Sequence, residues 1–178
     1  ILFIFISIFL YLVLIMYKKQ TLGNDAGKKP PLDYIRCPKN IWKELSEEFN
    51  FTVDSCASDN NHKCDKYYTI ETNGLVQDWS DEVVFCHPLF NGGINKWVEK
   101  ASKEKALTVM LIPVYTHTEY FHKFIYNKPN VDVRFLRHKH LEDGEWVRGY
   151  KFNTEMDVEP KLPYLRPMMV VIFNNIEQ

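Results

Sequence analysis

Residues 82–113, EVVFCHPLFNGGINKWVEKASKEKALTVMLIP, read as one strand, helix, strand unit. Glu82 to Cys86 is a short apolar run that stops at His87-Pro88, where proline restricts the backbone and withdraws a donor from any ladder. Asn91-Gly92-Gly93 then precedes a helix expected from Ile94 to about Lys105, because Ile94, Trp97, Val98 and Ala101 fall on one face. Ala106 to Pro113 (ALTVMLIP) is unbroken apolar sequence without alternation, which suits a central strand buried on both faces.

Outward from this unit the same rhythm continues. Upstream, Pro38 opens a helix in which Ile41, Trp42, Leu45 and Phe49 recur at helical spacing through Asn50, and Phe51 to Asp54 is a strand ending in an acid. Downstream, Thr116 or Thr118 caps a helix through Tyr126, and Val131 to Leu136 and Met168 to Phe173 are strands. A polar excursion, His138 to Arg166, separates those last two, and its Asp143-Gly144 turn predicts a hairpin. The expected class is α/β, a sheet with crossover helices and an antiparallel closing hairpin. Ligands of such sheets sit outside the carboxyl ends of the strands, which directs attention to Asp54 with the loop Ser55 to Tyr68, and to Cys86 through Asn91. Trp42, Trp79 and Trp97 are expected in the core, His117 and His122 on the surface of a helix.

The chain has 178 residues with 22 Lys+Arg against 23 Asp+Glu, so no global positive field announces nucleic acid and any such site must be local. Residues 1–17 carry no charge and only Ser7 lies outside the hydrophobic set. They read as a membrane anchor, a little short of the ~20 residues that usually span a bilayer, or as a non-native extension; residues 18–32 are a linker and 33–178 the working domain. Cytoplasmic placement is expected, with membrane attachment the alternative. Cys37, Cys56, Cys64 and Cys86 form no CxxC pair and fit a reducing compartment. Cys56, His62, Cys64, Cys86 and His87 match no common structural zinc pattern, so no metal is expected and the cysteines read as small buried side chains.

The edge at His87-Pro88-Leu89-Phe90 suits a planar nitrogen heterocycle: Phe90 can stack on its face while His87 and a backbone carbonyl accept hydrogen bonds from an exocyclic amine. Arg134, Arg137, His138, Lys139 and His140 make a basic cluster that Arg148 extends, and it reads either as a solvated strand end or as a surface for phosphate contact.

In order and spacing, residues 34 to 175 resemble the phage-type DNA N6-adenine methyltransferases. The blocks that carry the likeness are Glu48-Phe-Asn-Phe-Thr-Val-Asp54-Ser-Cys-Ala57-Ser58, Asn61-His-Lys-Cys64, Tyr67-Tyr-Thr69, Gly74-Leu and Asp78-Trp79. Leu111-Ile-Pro113, Thr116-His-Thr118-Glu-Tyr-Phe121, Val133-Arg-Phe-Leu136 and Pro163 to Phe173 continue it. The resemblance implies a Rossmann-like fold dependent on S-adenosyl-L-methionine, in which Asp54, Ala57 and nearby backbone bind the cofactor, Pro38 closes over it and Asp78 lies nearby. It also implies a monomer acting on double-stranded DNA, with residues 138–166 serving target recognition and a flipped adenine as acceptor. His87 stands where the family pattern has Asn or Asp, Leu89 where it has a second proline, and Phe90 at the stacking position, so His87, Pro88 and Phe90 are the expected catalytic residues. A decayed methyltransferase that binds DNA or cofactor without transfer is the alternative.

Overall fold

The computed structural model describes residues 36–90, 93–137, 139–142, 144–152 and 166–176. The chain divides into two units, Ile1–Pro31 and Leu32–Gln178, and every described residue belongs to the second. The expected anchor, the whole of the expected linker and residues 153–165 of the polar excursion lie outside the described residues, as do His138, Asp143, Asn91 and Gly92. No helix among the described residues is long and apolar enough to cross a membrane.

Helix α1 (Lys39–Glu48) is followed by β1 (Val53–Asp54), β2 (Lys66–Tyr67), a 3-10 turn at Gly74–Val76, β3 (Val83–Cys86), α2 (Ile94–Lys103) and β4 (Leu107–Pro113). A π-helical turn at Phe121–Ile125 then leads into β5 (Val131–Phe135), the pair β6 (Lys139–Glu142) and β7 (Glu145–Arg148), and β8 (Met168–Asn174). Six strands form one sheet in the order β2-β1-β3-β4-β8-β5, and β6-β7 is a separate ribbon. β2, β1, β3 and β4 are parallel neighbours, while β8 runs antiparallel between β4 and β5. The architecture is mixed α/β with a mainly parallel sheet.

The apolar run that the sequence marks as central is central: Val109 to Ile112 of β4 are fully buried, flanked by β3 and β8. Each such side chain contributes ~1.5–3 kcal/mol of burial. α2 occupies the β3 to β4 connection and buries Ile94, Val98 and Ala101. It ends where Asn175, beyond β8, donates from Nδ2 to the carbonyls of Ala101 (2.9 Å) and Glu104 (3.0 Å), satisfying groups that a helix C-terminus leaves open. The parallel pair β1 and β2 is instead joined by a loop without a helix, which the short strands permit.

One local expectation is corrected. The helix expected from Thr116 or Thr118 contracts to the turn Phe121–Ile125, and Thr118 does not cap it: its hydroxyl donates to the Tyr115 carbonyl at 2.7 Å. β2 had no reading of its own, because two residues carry no periodicity.

Chain order moves from β1 outward to β2 and then back across β1 to β3, so the direction of winding reverses between β1 and β3. A crevice opens at such a reversal, outside the carboxyl ends of the two strands. Asp54 and Cys86 end those strands.

Candidate active site

At the end of β1, Asp54 is 2% exposed. Its Oδ2 accepts the Lys63 N–H at 3.0 Å and its Oδ1 the Cys56 N–H at 3.4 Å, so one carboxylate ties both ends of the loop that follows. Burial nevertheless outweighs these bonds and pushes the Asp54 carboxyl up to about 6. The loop is tied again by Ala57 N–H to the Tyr68 carbonyl (2.8 Å) and by Tyr68 N–H to the Asp54 carbonyl (2.9 Å). Gly74 crosses the same place so closely that a Cβ would stand 2.0 Å from the Ser55 carbonyl oxygen, which only glycine allows.

Pro38 is buried at the start of α1. Burial pushes the neighbouring Cys37 thiol up to about 12, and Asp54 and Ala57 lie together at and beyond the end of β1, both bonded to the backbone of Tyr68. Asp78 does not join them. Its carboxylate accepts the Ser80 N–H at 2.9 Å, Trp79 N–H reaches Glu104, and Asp81 N–H bonds the Lys105 carbonyl, all at the edge where β3 and β4 begin. The expectation that Asp78 lies near the cofactor residues is corrected: after Gly74 the chain descends the sheet, and a linear motif does not reveal which end it reaches.

At the end of β3, His87 is half-buried and its Nδ1 lies 2.8 Å from the carbonyl oxygen of Leu111 on β4. A carbonyl only accepts, so Nδ1 carries the proton and, in the neutral ring, Nε2 is the acceptor nitrogen. Phe90 meets the imidazole edge-on at 5.3 Å and Phe152 lies 6.0 Å away, tilted by 32°. Both phenylalanines are buried, and Leu89 is the exposed member of the turn. Cys56 and Cys86 bring their sulfurs to 3.7 Å between the two strand ends, and burial, then the Cys86 partner, push the Cys56 thiol up. Among the described residues no group of three or more His, Cys, Asp or Glu side chains could hold a metal ion.

The basic residues separate. Arg134 gives its guanidinium to Glu48, with bonds of 2.6 and 2.8 Å, and to Asp132 at 3.1 Å, bracing β5 against α1. Arg137 is exposed after β5, and Lys139 and Arg148 are opposite each other on the ribbon. Sequence reasoning missed two partners of His87. The Leu111 carbonyl has no residue-type signal, and Phe152 sits in the polar excursion, where a lone aromatic carries no period.

A family model described as DNA N-6-adenine-methyltransferase (Dam) matches residues 25–143. The DNA N-6-adenine-methyltransferase of Haemophilus phage HP1 (strain HP1c1) is 26% identical over 149 residues, which is 77% of this chain and 84% of the relative. An Escherichia coli (strain K12) protein named "Putative methyltransferase YfdM" is 38% identical over 52 residues, 29% of this chain and 57% of that protein.

Proposed function

The chain belongs to the DNA N-6-adenine-methyltransferase family, and from that premise we propose that it transfers a methyl group from S-adenosyl-L-methionine to N6 of an adenine flipped out of double-stranded DNA in the cytoplasm. When bound, the cofactor supplies a methyl group on a positively charged sulfur.

The residues at the carboxyl edge fit such a group. A carboxylate has about four acceptor positions, and backbone N–H groups occupy one on each oxygen of Asp54, leaving capacity for the hydroxyl or ammonium donors of the cofactor. Asp54, the backbone at Ala57 and the buried Pro38 are the residues that would hold it.

The observation that carries the reading is the Nδ1 tether of His87. With Nδ1–H committed to Leu111, Nε2 presents a lone pair, as the oxygen of Asn does at this position in the family pattern. His87 Nε2 and the Pro88 carbonyl then accept the two N6 protons of adenine, drawing the amine lone pair out of conjugation with the ring. The contribution is positioning and electrostatics, supplied by groups that need no rearrangement during reaction. Imidazole in the other tautomer would offer N–H at the same place and repel the amine.

Methyl transfer from labelled cofactor to unmethylated DNA tests this with the full chain, His87→Asn and His87→Ala side by side. Transfer by the chain and by His87→Asn, with a loss of about 100-fold in His87→Ala, is the expected result. Recovery in His87→Asn alone would instead identify a decayed enzyme, and absence of both transfer and cofactor binding in all three would overturn the reading.

A further inference from the structure

Two thiols with no part in methyl transfer meet in the crevice at the strand reversal. Cys56 follows β1 and Cys86 ends β3, and their sulfurs lie 3.7 Å apart. All four cysteines are free; Cys37 and Cys86 are buried, whereas Cys56 and Cys64 are partly exposed. Sulfurs already in van der Waals contact are one short step from a covalent bond of about 2.05 Å, and the partly exposed Cys56 gives an oxidant its approach to the pair.

The two halves of the pair are not held equally. Cys86 is fixed in β3 by its register with Met110 of β4, whereas Cys56 lies beyond β1, where its N–H meets Asp54 Oδ1 at 3.4 Å. Closing the gap between the sulfurs therefore draws Cys56 toward β3. With it go one of the two N–H groups that hold the Asp54 carboxylate and the adjoining backbone of Ala57.

Resting on the methyltransferase reading, we propose that Cys56 and Cys86 form a thiol switch: a disulfide between them displaces the Asp54 loop and shuts the cofactor site, and its reduction reopens it. The oxidant is a low-molecular-weight disulfide such as oxidised glutathione. The Cys56 thiolate attacks one of its sulfurs and expels a thiolate, leaving a mixed disulfide; Cys86, once deprotonated, attacks Cys56 Sγ and expels the second thiolate. Two protein thiols become one disulfide while the small disulfide becomes two thiols, so electrons and protons balance. Burial pushes the Cys56 thiol up, so the attacking thiolate is scarce and the pair answers to prolonged oxidation and not to a brief pulse.

The test equilibrates the full chain, Cys56→Ala, Cys86→Ala and Cys64→Ala in buffers of reduced and oxidised glutathione, then maps the cysteines by alkylation and peptide mass spectrometry. Cofactor binding and methyl transfer are measured on the same samples, each protein referred to its own reduced state. In the parent and in Cys64→Ala, a peptide linking Cys56 to Cys86 is expected in the oxidising buffer with a loss of about 100-fold in kcat/KM, the scale of a 1 Å misplacement, and dithiothreitol reverses both. Cys56→Ala and Cys86→Ala are expected to keep their activity in the oxidising buffer. Absence of that linkage, linkage of Cys56 to Cys64 in its place, a linked chain that binds cofactor and transfers as before, or a loss that persists in Cys56→Ala overturns the switch. A reduced parent that neither binds cofactor nor transfers methyl overturns the methyltransferase reading, and the linked peptide then still decides the disulfide.

Discussion

At the carboxyl edge of the sheet the polar groups are tied to backbone: Asp54 to Cys56 and Lys63, His87 to Leu111, Ala57 to Tyr68. On the outward face of the β6-β7 ribbon, Lys139, Leu141, Trp146 and Arg148 project into solvent. The difference fits the proposed function. A reacting amine must be met by acceptors already aimed, and burial with several tethers aims them. A long polymer must be grasped from outside, and that requires exposed charge. One domain thus holds an edge tied to backbone and a ribbon face left to solvent.

The comparison is broken most forcefully at Gly74. A methyl group there would meet the Ser55 carbonyl at 2.0 Å, backbone against side chain, and would strain the turn whose carbonyl accepts Trp79 Nε1–H at 3.1 Å. Gly74→Ala is expected to lower stability by about 3 kcal/mol; urea denaturation of the variant at the parent's midpoint would show that the edge is not rigid. Gly144, at the ribbon turn, has open space around it, although its φ of +82° still disfavours other residues.

A smaller effect tests Asp54 through pH. Its pKa is raised from 3.8 to about 6, so between those values the fold holds a proton that the unfolded chain has released. The group's contribution to stability is therefore complete below pH 3.8 and is lost as pH rises through about 6, and Asp54→Asn removes this dependence. Cofactor binding runs the other way, because only the ionised carboxylate accepts fully: affinity is expected to weaken as pH falls through about 6, by up to about tenfold per unit. Calorimetric titration at several pH values checks it, and a flat profile would remove Asp54 from the cofactor's partners.

The smallest effect sharpens the division among the arginines. Arg134 and Glu48 are about half exposed, and solvent screening keeps such a pair to about 1 kcal/mol or less. Hydrogen bonding from Arg134 holds the Glu48 carboxyl below its usual range, so this contribution fades only as acid protonates Glu48. Arg134→Ala is expected to cost that much stability while leaving the salt slope of DNA binding unchanged. A slope that falls by about one would move Arg134 into the phosphate contacts.

Much of this was legible in the chain. The apolar run 107–113, the helical face Ile94, Val98 and Ala101, and the residues ending β1 and β3 are local patterns, and local patterns report how a segment is buried. That β3 stops just before His87-Pro88 was legible because proline restricts the backbone and removes a donor; a catalytic role for the pair is what the family likeness implies. Asp78 and Arg134 were harder: a residue's neighbours along the chain do not say that one lies by Glu104 or that the other meets a carboxylate 86 residues earlier.

By itself the sequence determined the class of fold, the strands that carry the site and the family likeness, since periodicity and ordered motifs are properties of short segments. Only the tertiary structure decided that winding reverses between β1 and β3, that His87 is held with Nε2 as acceptor, and that Trp146 and not His140 faces outward. Each of these depends on which strand edge meets which. Such pairing is settled by packing of the whole domain, where a carbonyl 24 residues away selects the tautomer of a histidine.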